Sequence, residues 1–242
     1  MPTELLYLHD AYARSCTAVV SGVDRGDGGV RVALDRTVFY PTGGGQPYDT
    51  GVLRWDGGEA VVTGVRKEGA EVWHTLAGPD APAVGDAVEG EIDWDRRHRL
   101  MRTHTALHVL CGVIWNEWGV PVTGGNMEPL SARMDFELDP TPEGFGARVE
   151  ELVAAEIAAN RPIEVSFIPR AEAVLDEALI RTKVSLVPES VAEIRVVDIV
   201  GLDKQADGGT HVRSTAEVGG VRVVKTESKG KGNKRVRIEV TD

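Results

Sequence analysis

What this 242-residue chain has little of narrows its function before any motif is read. It has two cysteines, Cys16 and Cys111, too few and too isolated for a disulfide framework, so a reducing compartment is expected. No apolar run reaches the roughly 18 residues that a membrane span requires. The opening "MPTELLYLHDAYARS" also lacks the apolar core of a signal peptide, so a soluble, cytoplasmic protein without a membrane partner is expected. Positive charge is scarce. A formal net charge of -11 excludes a protein that coats nucleic acid with its whole surface, yet permits a local basic patch. The three-glycine run "PTGGGQP" has no Lys-Ser/Thr behind it and opens no helix, so it is not a phosphate-binding P-loop, and an ATP-independent activity is expected. No Ser-His-Asp arrangement is visible, and neither cysteine sits in a motif for thiol chemistry.

What is present is enough for real cores: 42% of residues are hydrophobic, in a length that suits one large or two small domains. From Thr17 to about Asp93 the chain reads as short strands, "TAVVSGV", "GVRVALD", "TVFYPT", "EAVVTGVRK" and "EVWHTL", separated by Gly-rich turns and followed by one more in "VGDAVEGEIDW". Short strands at this spacing predict a small all-β barrel or sandwich over residues 1–93. The period then changes. Asp93 or Asp95 can cap a helix through "DRRHRLMRTHTALHVLCGVIWNEW" that stops at Gly119, with a buried stripe of Leu100, Ala106 or Leu107, Leu110, Val113 and Ile114. A second helix is expected from Thr141 as cap and Pro142 at its first position through "ARVEELVAAEIAAN". "IEVSFIP" reads as a strand, "RAEAVLDEALI" as a third helix, and "EIRVVDIVGLD", "STAEVGGVRVVKTES" and "KRVRIEVT" as strands. The expected fold class is therefore α+β, with an all-β domain over 1–93 and an α+β domain with mainly antiparallel sheet over 94–242.

Inside the first helix, "RTHTALHVL" sets His104 and His108 four residues apart, which on a helix directs both imidazoles to one side, within reach of one ion. Alone, this is also the spacing of ordinary surface or core histidines. A second pair, Asp207 and His211 in "QADGGTHV", repeats the offset across two glycines, which permit positive φ and close approach to a ligand. Imidazole nitrogen and carboxylate oxygen are both zinc donors.

Three stretches together resemble the freestanding alanyl-tRNA editing proteins and the editing domain of alanyl-tRNA synthetase. "TVFYPTGGGQPYDTG" (37–51) is similar to the family's glycine-rich motif, "DWDRRHRLMRTHTALHVL" (93–110) to its HxxxH helix, and "DKQADGGTHVRSTAEVG" (203–219) to its second metal motif. The resemblance implies one zinc ion held by His104, His108 and His211, with Asp207 standing where the family usually has cysteine. It implies hydrolysis of the ester joining a wrong amino acid to alanine-specific tRNA: serine first, glycine second. Zinc could orient the aminoacyl end, polarise the carbonyl or lower the pKa of a bound water. Gly43, Gly44 and Gly45 would line the substrate pocket, Gln46 would present an amide, and Thr42 or Thr210 would meet the serine hydroxyl. A site built to bond that hydroxyl spares alanine, which leaves the polar group unpaired.

The mischarged tRNA, met at its acceptor end, needs cations. "KTESKGKGNKRVR" supplies Lys225, Lys229, Lys231, Lys234, Arg235 and Arg237 against one acid, Glu227, and Arg96, Arg97 and Arg99 are candidates to extend the strip. Two other readings stand beside the editing one: a noncatalytic tRNA-binding module in which Asp207 marks loss of the metal, and a zinc hydrolase of small esters or amides. A fragment of a full synthetase is not expected, since the chain begins and ends like a complete protein and has no adenylation core.

Overall fold

Period-two alternation builds the N-terminal part of the chain. Its strands are β1 (Glu4–Leu5), β2 (Ser15–Gly26), β3 (Gly29–Leu34), β4 (Arg36–Thr37), β5 (Gly51–Trp55), β6 (Gly58–Glu68), β7 (Glu71–Leu76) and β8 (Ala87–Ile92). In β7 the residues Val72, His74 and Leu76 are buried, and in β8 Val88, Gly90 and Ile92, each alternating with more exposed neighbours. Six strands close into an antiparallel barrel in the order β2-β3-β7-β6-β5-β8, while β1 and β4 pair in parallel. Closure leaves no barrel edge unpaired. Val20, Val32, Leu34, Leu53, Val62 and Val65 fill the interior with Phe39, each contributing about 1.5–3 kcal/mol where fully buried. Two glycines admit the Phe39 ring: a Cβ on Gly51 would lie 2.1 Å from the Glu91 carbonyl and 2.9 Å from Phe39, and one on Gly90 3.0 Å from Phe39.

This computed structural model describes residues 2–26, 29–173, 179, 192–230 and 232–242. The chain divides into two compact units, Met1–His98 and Arg99–Asp242. The first differs from expectation in two places. "TVFYPT" is a strand only at Thr37; Val38–Pro41 form a buried non-strand segment whose Tyr40 N–H is bonded to the Asp49 carboxylate rather than to a sheet neighbour. Strand β5 was hidden inside what reads as a glycine-rich loop.

The helix α1 (Trp94–Trp118) starts and stops where its caps predict. Asp93 Oδ1 accepts from the Arg96 N–H at 3.1 Å. Gly119, at φ +66, supplies the left-handed stop, its N–H bonded to Trp115 O at 2.8 Å. The helix does not carry a single apolar stripe. Every residue from Thr103 to Ile114 is buried, so α1 is enclosed on all sides over three turns.

The rest of the second unit comprises β9 (Val122–Glu128), β10 (Ser131–Glu137), α2 (Phe145–Ala158), β11 (Ile163–Pro169), α3 (Arg170–Ala173), β12 (Glu193–Ile199), β13 (Asp203–Ala206), β14 (Gly220–Ser228) and β15 (Asn233–Thr241). They form antiparallel sheets in the orders β14-β15-β10-β9 and β11-β12-β13, so the molecule is α+β as the sequence suggests. The hairpin β9–β10 was not anticipated. Helix α2 begins at Phe145, not Pro142: a turn closed by Phe145 N–H to Pro142 O, with Gly144 left-handed at φ 68, precedes it and no side chain caps it. Within "STAEVGGVRVVKTES", Thr215–Val218 form a 3-10 turn and the strand starts at Gly220. Of the expected third helix, residues 174–178 and 180 lie outside the described residues.

Candidate metal centre

Helix geometry delivers the first two donors. His104 and His108, one turn apart on α1, are both buried, with ring centroids 5.2 Å apart. The second two come from the segment after β13. There Asp207 N–H bonds back to Arg195 O of β12 at 3.1 Å, and the Asp207 carboxylate accepts the Gly209 N–H at 2.7 Å. That turn brings His211 over the helix, its ring 4.3 Å from His104 and 4.7 Å from His108. Neither Gly208 nor Gly209 uses the positive φ that glycine permits; the carboxylate–amide bond makes the turn. Ligating atoms of His104, His108, Asp207 and His211 all lie within 4.8 Å of one another.

Three further residues hold these donors. His108 Nδ1–H donates to Asp203 Oδ2 at 3.1 Å, and Gln205 Nε2 donates to the same oxygen at 2.6 Å. Asp203 reaches the helix because Gly112 has no side chain: a Cβ there would lie 2.9 Å from Leu202 and 3.1 Å from Asp203. His211 Nδ1 sits 3.1 Å from Thr105 Oγ1, which turns Nε2 toward Asp207 Oδ2 at 3.0 Å. Arg195 donates to Asp207 O at 2.8 Å and lies 3.8 Å from its Oδ2. None of these partners belongs to the two donor pairs, so sequence reasoning left each unassigned. Thr105 and Asp203 stand within the quoted motifs, but nothing in their spacing marks them as supports.

The titration state suits a cation. Burial drives the His104 pKa well below its usual value despite the Asp207 charge, and drives His211 down to about 4 despite its bond to Asp207. Both rings are therefore neutral ligands at pH 7. Burial also acts to lower His108, but the hydrogen bond and charge of Asp203, with the charge of Asp207, outweigh it and raise the pKa. Asp207 is held well below the usual carboxylate range: burial opposes ionisation, and His104 and the His211 bond overcome it. A tetrahedral ion with donors at 2.0–2.1 Å separates them by roughly 3.3–3.4 Å. The separations of 3.0 Å from His211 to one Asp207 oxygen and 3.7 Å from His104 to the other bracket that distance, and with all four donors within 4.8 Å of one another the cluster could hold one divalent ion.

The other candidate residues fall as follows. Gly43 and Gln46 exchange backbone hydrogen bonds at 2.9 and 3.1 Å around Gly44 (φ 57) and Gly45 (φ 85), a tight turn in which only glycine sits without strain. Gly43 N–H is thus engaged in the turn. Gly44, Gly45 and Thr42 are exposed, and Gln46 is buried. Thr210 is wholly buried in the second unit beside His211. Lys231 lies outside the described residues. The basic run is less free than its sequence suggests. Asp135 of β10 accepts from Arg235 at 2.7 and 2.8 Å, from Lys229 at 2.9 Å and from Arg133 at 3.2 Å, while Glu227 binds Lys225 and Arg237. Lys234 stands half-buried in β15, opposite Ser228 and Phe136. Arg97 cannot belong to a phosphate-facing strip, because it is fully buried and paired with Asp49. Arg96 Nε is turned to the Tyr48 carbonyl at 3.2 Å, while Arg99 stands exposed.

Comparison with known proteins agrees with the motifs. Residues 13–96 match the model of class II (A) tRNA synthetases, and residues 194–237 that of the threonyl and alanyl tRNA synthetase second additional domain. The chain is 38% identical over 245 residues to the alanyl-tRNA editing protein AlaX-M of Methanosarcina barkeri, covering 99% of this chain and 100% of that one. It is 38% identical over 238 residues to the AlaX-M protein of Saccharolobus solfataricus, covering 97% of each. The alanine–tRNA ligase of Pyrobaculum neutrophilum is 40% identical over 233 residues, which are 93% of this chain and 25% of the ligase. The chain belongs to the AlaX-M family of alanyl-tRNA editing proteins.

Proposed function

We propose that the protein is a trans-acting deacylase that hydrolyses the aminoacyl ester of mischarged alanine tRNA, with serine as the amino acid released. The observation that carries this reading is the convergence of His104, His108, Asp207 and His211 in one buried cluster, in a chain of the alanyl-tRNA editing family. In the reaction, water adds to the ester carbonyl, the bond to the terminal ribose oxygen breaks, and that oxygen takes up a proton as the hydroxyl of the freed tRNA. A zinc ion held by the four side chains would supply the Lewis acidity for that addition.

The protein's own groups supply the rest. Asp203 and Thr105 keep His108 and His211 aimed at the cluster. Asp207, ionised at neutral pH, puts a negative charge beside the neutral imidazoles of His104 and His211, which favours a divalent cation. We assign the serine hydroxyl to Thr42 or Thr210, an amide contact to Gln46, and the approach of the aminoacyl end to the Gly43–Gln46 turn. A hydroxyl-binding site of this kind discriminates against alanine by leaving a buried polar group unpaired. Lys229, Lys234 and Arg235, with Lys231, are assigned to the tRNA backbone. Because Asp135 already binds Lys229 and Arg235, their contribution is a moderate steering field.

The test is release of serine from seryl-tRNA specific for alanine by zinc-loaded protein, with glycyl- and alanyl-tRNA in parallel. Serine release far above the spontaneous rate, with alanyl-tRNA spared, is expected. Binding of tRNA without deacylation would favour a noncatalytic module, and equal turnover of simple amino-acid esters would favour a small-ester hydrolase.

A further inference from the structure

Among the described residues of the first unit, the most buried charge pair joins helix α1 to both ends of the glycine-rich segment. Arg97 and Asp49 are both 0% exposed. Arg97 Nε lies 3.0 Å from each Asp49 oxygen, and Nη2 makes a further, very short bond to Oδ2. The same guanidinium donates through Nη2 to Val38 O at 2.6 Å and through Nη1 to Ala11 O at 2.9 Å. All three nitrogens of a rigid planar fork are therefore committed. Asp49 Oδ2 also accepts the Tyr40 N–H at 2.6 Å, and Asp49 N–H returns a bond to Tyr40 O at 3.0 Å. Tyr40 then passes the constraint to the turn itself, its hydroxyl donating to Gly43 O at 3.0 Å.

A buried ion pair is a poor way to gain stability. Desolvating two charges is expensive, and well-packed apolar residues of similar volume often serve as well or better. What the pair supplies is direction: charge-assisted bonds of fixed geometry at both ends of the stretch from Val38 to Asp49, where the intervening Gly44 and Gly45 have the weakest conformational preference of their own. We infer that Asp49 and Arg97 are positioning residues that set the conformation of the Gly43–Gln46 turn for substrate discrimination, acting through Tyr40. This inference rests on the reading of that turn as part of the substrate site.

The distinguishing variant is the double replacement Asp49→Leu with Arg97→Met in the full chain. It removes both charges together, so no uncompensated ion is left buried; its zinc content is expected to match the wild type, and its unfolding midpoint to fall only by the cost of leaving Val38 O, Ala11 O and the Tyr40 N–H without these partners. Its kcat/KM for seryl-tRNA is expected to fall ten- to a hundredfold, since a displacement of about 1 Å can cost that much, and its preference for seryl- over alanyl-tRNA is expected to shrink. A stable, zinc-loaded double variant with kcat/KM within twofold of wild type overturns the inference. Should the double variant fail to fold, Tyr40→Phe decides: it deletes the bond to Gly43 O and keeps the ring, a several-fold loss supports the role, and unchanged kinetics and discrimination overturn it. Wild-type protein that releases no serine would instead defeat the deacylase reading itself, an outcome seen before any variant is made.

Discussion

Replacing Asp203 with asparagine tests whether the four-residue cluster is a metal site or a set of neighbouring buried histidines. Asp203 touches no ion in the proposed arrangement; it holds His108 by the 3.1 Å bond from Nδ1–H. Asparagine keeps the size and leaves one oxygen to accept that bond, while removing the negative charge. Asp203 is among the groups that raise the His108 pKa against the effect of burial, so its loss makes His108 a weaker donor. Outer carboxylates of this kind are typically worth about 10–100-fold in metal affinity, or roughly 1.4–2.8 kcal/mol at 1.4 kcal/mol per tenfold. Competition with a zinc-chelating indicator at pH 7.5 measures this directly, and the zinc-dependent rise in unfolding midpoint measures it independently. Both should drop in Asp203→Asn while unfolding of the zinc-free protein changes little. A zinc affinity within twofold of wild type would refute the argument, because His108 would then be a buried histidine satisfied by Asp203 and not a ligand oriented by it.

Other perturbations give separable outcomes. Asp207→Ala removes a donor and a charge but leaves three imidazoles, a sufficient set for a catalytic zinc; weaker zinc binding with residual activity is expected, a greater loss for His104→Ala, and affinity at least equal to wild type for Asp207→Cys, all read by metal titration. Asp49→Ala strands the fully buried Arg97 charge and should cost about 3–5 kcal/mol in urea unfolding, so a loss under 1 kcal/mol would show that solvent reaches the guanidinium. His74 is buried with its Nε2 2.9 Å from Thr37 Oγ1, and burial lowers its pKa to about 4. The unfolded chain binds that proton from about pH 6.5 downward while the folded barrel refuses it until about pH 4, so this contribution to stability is complete above pH 6.5 and is lost on acidification, by up to about 3 kcal/mol. His74→Gln should flatten the dependence of the urea midpoint on pH across that window, and an unaltered slope would count against the assignment.

The parts of this fold that were legible from sequence are those fixed by short-range chemistry. Asp93 and Gly119 bound α1 because a carboxylate cap and a left-handed glycine act within one turn. The alternation of β6, β7 and β8 survives because each buries one face. The two pairs of candidate donors were visible because four residues is one helical turn, or one short loop. What was missed depends on partners far along the chain. Hairpin β9–β10 has Gly124 and Gly125 where alternation would show, and only Val122 and Met127 of β9 are buried. Val38–Pro41 looks like a strand because it is apolar, yet its backbone is satisfied by Asp49 and its place is fixed by Arg97. No local pattern couples an arginine to an aspartate 48 residues earlier. The basic run near the C-terminus misleads for the same reason, since Asp135, its main counter-charge, lies about a hundred residues upstream.

The arrangement of the ligands has a consequence for how the centre assembles. Four donors scattered singly along a chain would each have to be gathered, and every closure would cost chain entropy. Here the donors come as two pairs, His104 with His108 and Asp207 with His211, and within each pair the spacing is settled once its own turn has formed. A single closure, of the roughly one hundred residues between His108 and Asp207, then brings the whole set together, and that penalty grows only logarithmically with length. It is met when β13 docks against α1 at Gly112, an event driven by packing of Leu202 and by the Asp203–His108 bond. Folding therefore brings the four candidate donors together, and an ion bound there as proposed would have little chain left to order. Metal should load and leave on the timescale of ligand exchange, and a chelator should strip the protein without unfolding it.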